Sequence, residues 1–208
     1  MYYQTYPYIS YEVIVVDNNS TENIFSVCQQ FPNVKYLQEN KQGSYAAKNC
    51  GVTAARGKII AFTDSDCLPV TNWIESGVRS LLSNPDAGIV AGHIEMSYLR
   101  SQPNPVEYVD RLMHLNQQLY AQNGYAATGN AFTWAWMFEK VRLFNDNLLS
   151  LSDREWGERV SRAGYRVVYS LDSLYSTPSP NNSQSTAQKD APSRPDTSPK
   201  SSPGRRWI

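Results

Sequence analysis

The sequence contains few cysteines and histidines, no excess of charge of either sign and no long apolar run. Its three cysteines (Cys28, Cys50 and Cys67) are widely spaced and form no C-x-x-C pair. We therefore expect no cysteine-based metal site. We expect the three cysteines to be free thiols in a reducing cytosol. The two histidines, His93 and His114, stand apart, which argues against a histidine metal cluster. Lysine plus arginine and aspartate plus glutamate both number 19, and this balance argues against nucleic acid as a partner.

The chain also lacks the signals of a membrane-spanning or exported protein. Its longest apolar runs cover about five or six residues, whereas a membrane-spanning helix needs roughly 20. The N-terminus has no charged segment followed by an apolar run, so no signal peptide is expected. We therefore expect a cytoplasmic protein without a transmembrane segment. Peripheral contact with the inner membrane stays open.

What the chain does contain is enough residues for one domain, followed by a segment of different composition. Its 208 residues suffice for one hydrophobic core and are few for two. Residues 177–206 are mostly Ser, Pro, Thr, Asn, Gln and charged residues, which cannot offset the entropy lost on ordering. We predict one folded domain over residues 1–175 and a disordered Ser/Pro-rich tail over residues 176–208.

Short apolar runs alternate with segments of helical spacing. Residues 11–16 form a nearly continuous β-branched run, which is typical of a strand buried on both faces of a parallel sheet. In the first half we predict strands at 11–16, 34–37, 58–63 and 88–92, and helices at 23–30, 44–55 and 69–82. In the second half we predict helices at 106–122, 138–141 and 153–163, and strands at 126–133 and 165–169. This order predicts an α/β domain with a mostly parallel sheet flanked by helices.

Asp64 and Asp66 follow the predicted strand at 58–63 directly, in the motif Asp-Ser-Asp. Ligands of open α/β sheets bind beyond such strand ends. Two carboxylates two residues apart can approach one hard divalent cation such as Mg²⁺ or Mn²⁺, which prefers oxygen ligands and shares its other positions with phosphate and water. A solvated pair of acids in a turn would give the same pattern. Position alone leaves these two interpretations equal.

Three further residues are candidates for ligand contacts, each with a simpler alternative. The segment 17–20 either caps the following helix, or the Asp17 carboxylate accepts a hydrogen bond from a base or ribose. Asp153, at a predicted helix start, either caps that helix, which its position favours, or removes a proton from an incoming hydroxyl. Lys48 either meets phosphate charge or is an ordinary surface lysine.

A set of motifs over about residues 5–170 resembles, in order and spacing, the family 2 glycosyltransferases, which are inverting enzymes with the Rossmann-like GT-A fold. The matching stretches are YEVIVVDNNST at 11–21, GSYAAKN at 43–49, GKIIAFTDSD at 57–66, FEKV at 138–141 with Phe144, DREW at 153–156 and RAGY at 162–165. The resemblance implies a GT-A domain that transfers a sugar with inversion from a nucleotide-sugar donor, usually a UDP-sugar. The acceptor would be a hydroxyl of a carbohydrate, lipid or protein.

The resemblance also implies roles for individual residues around the donor. Asp17 would contact the nucleotide base, usually uracil, and Asn19 belongs to the same donor-binding motif. Lys48 lies where the family often has a basic residue near the nucleotide. Asp64 would hold the ribose or diphosphate side. Asp66 would bind the Mg²⁺ or Mn²⁺ that bridges the diphosphate.

On the acceptor side, the resemblance implies that Asp153 is the catalytic base that deprotonates the acceptor hydroxyl. The chain departs from the family pattern here, because Leu151-Ser152 replaces the small, glycine-rich or Glu-containing residues usual before this aspartate. It also shows no late histidine to assist the metal, since both histidines lie well upstream.

A further departure lies before residue 11, where the family has a first strand and helix that this sequence does not show. Without that strand, two edges of the parallel sheet and part of the core should be exposed, which favours association. Two alternatives to an active glycosyltransferase therefore stay open. One is a catalytically inactive, truncated remnant that serves at most as a nucleotide-binding or interaction module. The other is a nucleotidyltransferase with a related sheet.

Overall fold

The computed structural model describes residues 4–97 and 116–178 of the chain. A short 3-10 helix at Tyr8–Ser10 comes first. The strands are β1 (Val13–Asp17), β2 (Val34–Gln38), β3 (Ile59–Thr63), β4 (Leu68–Pro69), β5 (Ala87–Ser97), β6 (Asn130–Trp134) and β7 (Arg166–Pro178). The helices are α1 (Ile24–Cys28), α2 (Ser44–Ala54), α3 (Trp73–Leu82), α4 (Gln117–Gln122), α5 (Ala135–Val141) and α6 (Ser152–Arg162). The predicted α/β class is confirmed.

The strands form two sheets. In the first, β1 and β2 pair in parallel, from Val13 opposite Val34 to Asp17 opposite Gln38. The second sheet has the order β3-β6-β5-β7-β4. Within it β5 and β7 are parallel, whereas β3 and β6, β5 and β6, and β4 and β7 are antiparallel.

The pairing refines the fold prediction, because two of the five strand pairs in the described residues are parallel and three are antiparallel. The physical reason is that a continuous apolar run reports burial on both faces and not strand direction. Strand β6, which follows α4, enters between β3 and β5 and runs against both. The sequence thus predicted the buried α/β sheet and its parallel pairs, but not the antiparallel insertion of β6.

Several element boundaries also differ from the predictions. Pro69 belongs to the short strand β4, and α3 begins only at Trp73. Residues 126–129 form a buried loop, so β6 begins at Asn130 and not at 126. The last strand continues to Pro178. Of the helix predicted at 106–122, residues 106–115 lie outside the described part, as do residues 179–208 of the predicted tail.

The hydrophobic core lies on both faces of the second sheet. On β6, Ala131 faces one cluster and Phe132 the other, as the two-residue period of a strand requires. In the first cluster, Phe138 of α5 stacks on Trp156 of α6 with ring centroids 4.6 Å apart. In the second, Trp73 of α3 packs on Phe132 at 4.9 Å. These contacts fix α3, α5 and α6 against the strands whose ends carry the candidate site.

Among the described residues, no strand fills the space between β1 and β3. The segments that precede the two strands are joined, because the backbone N–H of Arg56 donates to Glu12 Oε1 at 2.7 Å. Beyond this contact lies a groove of about 1340 Å³ whose walls include apolar residues of both strands: Val13, Ile14, Val15, Ile59, Ala61 and Phe62. The sequence predicted two such open edges. We call this space, which is lined by β1 and β3, the inter-sheet groove.

Candidate functional site

Asp17 at the end of β1 is buried and held by two hydrogen bonds. Its Oδ1 accepts from the backbone N–H of Ser20 at 2.8 Å, and its Oδ2 accepts from the Tyr36 hydroxyl at 2.9 Å. Partial burial, followed by this bond and the Asp17 charge, raises the pKa of Tyr36, so the phenol stays a donor at neutral pH. Helix α1 is capped by Asn23, whose Oδ1 accepts from the N–H of Ser26. The capping interpretation of segment 17–20 is therefore wrong.

The loop after β1 is fixed to the start of α2. Asn18 donates to the carbonyls of Glu39 and Lys41 at 2.7 and 2.8 Å, and its Oδ1 accepts from the N–H of Gly43 at 2.8 Å. Asn19 is exposed, has a positive φ of 60° and donates to the Asn40 carbonyl at 3.0 Å. Asparagine tolerates this left-handed conformation better than most residues. The loop is thus held rigidly, with the Asn19 position facing solvent.

Helix α2 begins with a turn that is buried rather than solvated. Gly43 precedes it with a φ of 129°, a conformation that L side chains rarely adopt, and this lets the loop enter the helix sharply. Tyr45 and Lys48 are both buried, and the Lys48 Nζ lies 5.4 Å from the centre of the Tyr45 ring. Lys48 is therefore not the ordinary surface lysine that one interpretation allowed.

The Asp64-Ser65-Asp66 motif follows β3, as the sequence predicted. Asp64 is half-buried and Asp66 is exposed. Ligand atoms of Asp64, Asp66 and the adjacent Cys67 all lie within 4.8 Å of one another. The Cys67 thiol is a soft group and donates to Asp66 Oδ1 at 3.5 Å. The two carboxylates therefore fit a hard divalent cation such as Mg²⁺ or Mn²⁺, with the thiol beside them as an orienting group.

Tyr175 of β7 and Gly129, just before β6, also belong to this site, although sequence reasoning missed them. Tyr175 is 1% exposed, and its hydroxyl is hydrogen-bonded to Cys67. Burial, together with the neighbouring Cys67 and Asp64 groups, raises the pKa of Tyr175 far above its usual range. A Cβ on Gly129 would lie 2.5 Å from the Tyr175 hydroxyl and 3.1 Å from Asp64 Oδ2. The run of small residues at 126–129 was the available signal.

Asp153 is the second residue of α6 and does not cap it. The capping position is Leu151, which has a φ of 63° and makes no side-chain bond to the helix. Asp153 Oδ1 accepts from the Tyr45 hydroxyl at 3.1 Å and from the Arg154 N–H at 2.9 Å. Its Oδ2 accepts a longer bond from the Thr128 N–H at 3.4 Å. The capping interpretation, which position favoured, is therefore wrong.

The buried loop 126–129 brings the separate motifs together. Thr128 contacts the Asp153 carboxylate, and the next residue, Gly129, lies against Asp64. On the other side, Asp153 contacts Tyr45 in α2, whose preceding loop is tied to the end of β1. The motifs of Asp17, Lys48, Asp64 and Asp153, which are distant in sequence, thus form one connected region at the ends of β1 and β3.

Histidine does not enter this region in the part of the chain that the structure describes. His93 of β5 forms a 2.7 Å hydrogen bond through Nδ1 with the Tyr169 hydroxyl. The cluster of potential metal ligands found among the described residues contains Asp64, Asp66 and Cys67. His114 lies outside the described residues. No described helix is long and apolar enough to cross a membrane.

The structure defines an α/β domain with acidic side chains gathered beyond the ends of its strands. Residues 3–142 match the family described as Glycosyl transferase family 2, and the chain belongs to this family. Glycosyltransferase AglE of Haloferax volcanii is 35% identical over 179 residues, which are 81% of this chain and 57% of that protein. Glycosyltransferase GlyG of Streptococcus pneumoniae is 38% identical over 111 residues, covering 51% of this chain and 36% of that protein.

Solved structures show the same fold. TarS of S. aureus (residues 1–349), in complex with UDP, superposes with a TM-score of 0.63 at 18% identity, covering 84% of this chain and 53% of that one. Mannosyltransferase PcManGT from Pyrobaculum calidifontis, in complex with GDP-Man and Mn²⁺, gives 0.64 at 21% identity, covering 84% and 50%. The predicted GT-A fold is confirmed. The chain spans about half the length of these proteins.

Proposed function

We propose that the chain is the nucleotide-sugar-binding and catalytic part of an inverting, metal-assisted glycosyltransferase, with a UDP-sugar as donor. The observation that carries the proposal is the placement of Asp64 and Asp153 on the two sides of the Thr128–Gly129 backbone. The proposed diphosphate site and the proposed base would thereby lie next to each other. Family membership favours glycosyl transfer over the nucleotidyl transfer that the sequence left open.

The donor would lie across the ends of β1 and β3. The base would meet Asp17 and Asn19, and the buried Lys48 would supply positive charge toward the phosphates. Asp64 would hold the ribose or diphosphate side, and Asp66 would ligate Mg²⁺ or Mn²⁺. When bound, such a cation neutralises charge on the departing diphosphate. PcManGT, which has this fold, was solved with GDP-Man and Mn²⁺.

Asp153 would act as the catalytic base. Its carboxylate takes the proton from an acceptor hydroxyl as the hydroxyl oxygen forms a bond to the anomeric carbon. The bond from that carbon to the diphosphate oxygen breaks with its electron pair leaving on the nucleoside diphosphate. Attack opposite the leaving group inverts the anomeric centre. The acceptor would be a carbohydrate, lipid or protein hydroxyl, as in the biosynthesis of polysaccharides or glycolipids.

Calorimetry with UDP in the presence and absence of Mn²⁺ tests the donor site. We expect Mn²⁺-dependent binding, and we expect Asp66→Ala to weaken it by about tenfold or more, since loss of even an outer-shell partner of a metal ligand typically costs about 10–100-fold in metal affinity. Asp172→Ala is the matched control, because Asp172 is exposed on β7 and lies outside the candidate site. Equal losses in both variants would contradict the assignment of Asp66.

Transfer assays with a panel of UDP- and GDP-sugars test catalysis. Asp153→Asn should reduce kcat by about 10² to 10⁴-fold, the usual contribution of a general base, while UDP affinity stays close to wild type. A large loss of UDP affinity in this variant would argue against the base role. Release of UDP without transfer would indicate a working donor site with the wrong acceptor.

A second candidate function is a nucleotide-binding or interaction module without catalysis. The observation that favours it is the inter-sheet groove, which separates β1, with Asp17, from β3, with Asp64 and Asp66. The groove extends to Asp64 and Ser65, so whatever occupies the groove would lie against the proposed donor site. UDP binding without turnover on any donor would support this module and contradict the enzyme.

A further inference from the structure

The Tyr45 side chain lies between the donor side of the site and the candidate base. It occupies the first turn of α2, is 5% exposed and packs on Phe144 with ring centroids 5.9 Å apart. Its hydroxyl lies 3.1 Å from Asp153 Oδ1, across 108 positions of sequence. A tyrosine ring held this tightly places its hydroxyl at a defined point, since only the hydroxyl hydrogen can still rotate freely.

The Tyr45 hydroxyl is a hydrogen-bond donor toward Asp153 throughout the neutral pH range. Burial, followed by the nearby Asp153 charge, raises the pKa of Tyr45 to about 12. The phenol therefore remains protonated, and the carboxylate is the acceptor. A hydrogen bond to an ionised carboxylate is stronger than one between neutral groups and fixes the orientation of the carboxylate.

The two oxygens of Asp153 are not equivalent. Within the described residues, Oδ1 accepts from both the Tyr45 hydroxyl and the Arg154 N–H, whereas Oδ2 has only the longer contact to the Thr128 N–H. In the part of the chain that the structure describes, the titratable or charged side chains near this carboxylate are Tyr45 from α2, Tyr125 from the segment before β6, and Arg154 on α6 itself. Oδ2 is therefore the oxygen with capacity for a further strong bond.

We propose that Tyr45 is a positioning residue for Asp153, occupying Oδ1 so that Oδ2 is the oxygen that takes the acceptor proton. The inference rests on the proposed function, because it requires Asp153 to be the base. Tyr45 touches no reacting atom in this scheme. Through Gly43 and Asn18, the same turn of α2 is joined to the loop after β1, so the orientation of the base and the donor loop share one support.

The test is Tyr45→Phe, which keeps the ring and its packing and removes only the hydroxyl. We expect kcat to fall by about tenfold, a fraction of what loss of the base itself costs, with KM for the donor unchanged. The acid limb of the pH–rate profile should move to higher pH, because the ionised base loses a donor. Adding Tyr45→Phe to Asp153→Asn should cause no further loss, since one residue acts through the other.

Tyr36→Phe is the matched control, because the Tyr36 hydroxyl bonds the Asp17 carboxylate in the same way. It should change the affinity for UDP and leave the acid limb in place. Site-specific 3-fluorotyrosine at position 45, which keeps the packing and has a more acidic hydroxyl, should move the acid limb to lower pH. This substitution provides the test even if Tyr45→Phe lowers stability.

The outcomes separate this inference from the proposed function. If Asp153→Asn abolishes transfer but the two changes at position 45 leave kcat and the acid limb unaltered, the positioning role is wrong and the base stands. If Asp153→Asn retains full activity, the proposed base is wrong, and the inference fails with it. Where no donor gives turnover, the carboxyl titration of Asp153, followed by NMR in wild type and Tyr45→Phe, decides: equal midpoints contradict the positioning role.

Discussion

At the scale of single residues, the acidic side chains of the site are visible in the sequence, and their supports are not. Asp17, Asp64 and Asp153 each follow a pattern that marks a strand or helix end, so their positions could be predicted. Tyr175 could not, and Gly129 only as part of the run of small residues at 126–129, because their importance comes from contacts between β7, the loop before β6 and the Asp64 region. Such contacts depend on the order of the strands in the sheet, which brings together residues that are far apart in sequence.

Gly129 gives a prediction at this scale. An alanine there would place its Cβ 2.5 Å from the Tyr175 hydroxyl and 3.1 Å from Asp64 Oδ2, so the loop, the tyrosine or the carboxylate must shift. We expect Gly129→Ala to lower the free energy of unfolding by about 1–3 kcal/mol, as overpacking usually does. We also expect it to weaken Mn²⁺-dependent UDP binding. Urea denaturation and calorimetry measure the two effects.

The double variant Gly129→Ala with Tyr175→Phe serves as the control for that mechanism. Removing the hydroxyl removes the nearest atom, and the next atom of that ring lies 3.8 Å from the added Cβ. Stability should therefore recover in part, whereas the effect on UDP binding should persist through Asp64. If instead the stability loss of the double variant equals the sum of the two single losses, the contact between residue 129 and the Tyr175 hydroxyl is not the cause.

At the scale of elements, the sequence predicts the existence of most strands and helices, but not how the chain enters them. The start of α6, predicted at 153 and observed at Ser152, is an example. The Asp153 side chain looks like a helix cap in sequence, yet the chain enters the helix through Leu151 in a left-handed conformation, with no capping side chain. A left-handed leucine is uncommon, and no pattern of apolar residues announces it. Tertiary contacts of Trp156 and Val160 with the core hold the helix instead.

Leu151 therefore offers a prediction about this helix. It is 62% exposed, and a left-handed conformation costs a residue with a Cβ about 1 kcal/mol that glycine does not lose. Leu151→Gly should therefore raise the free energy of unfolding by up to about 1 kcal/mol, measured by urea denaturation. The control is Leu149→Gly, at a residue that is 96% exposed and lacks a positive φ, which should lower stability slightly. Equal effects at both positions would mean that the backbone conformation is not responsible.

At the scale of the whole molecule, the main feature is the separation of two sheets by the inter-sheet groove. The edges of β1 and β3 that face it have no strand partner within residues 4–97 and 116–178, and several of the side chains that line it are only half-buried. Unpaired edges and apolar surface of this kind promote contacts between molecules. The sequence predicted that sheet edges would be open. It did not predict that the groove would reach Asp64.

We accordingly expect the chain by itself to associate in a concentration-dependent manner, through the inter-sheet groove. Ile14 lies in β1, lines the groove and is half-buried, so Ile14→Lys should place a charge among apolar side chains and reduce association. Sedimentation velocity over a range of protein concentrations measures the effect.

Leu149→Lys is the matched control, because Leu149 is 96% exposed and does not line the groove. If Leu149→Lys reduces association as much as Ile14→Lys, general surface hydrophobicity is the cause. If neither variant changes it, or the wild-type chain stays monomeric at all concentrations, the open edges are not sites of association. If Ile14→Lys alone reduces association, the molecules associate through the inter-sheet groove between β1, which carries Asp17, and β3, which Asp64 follows.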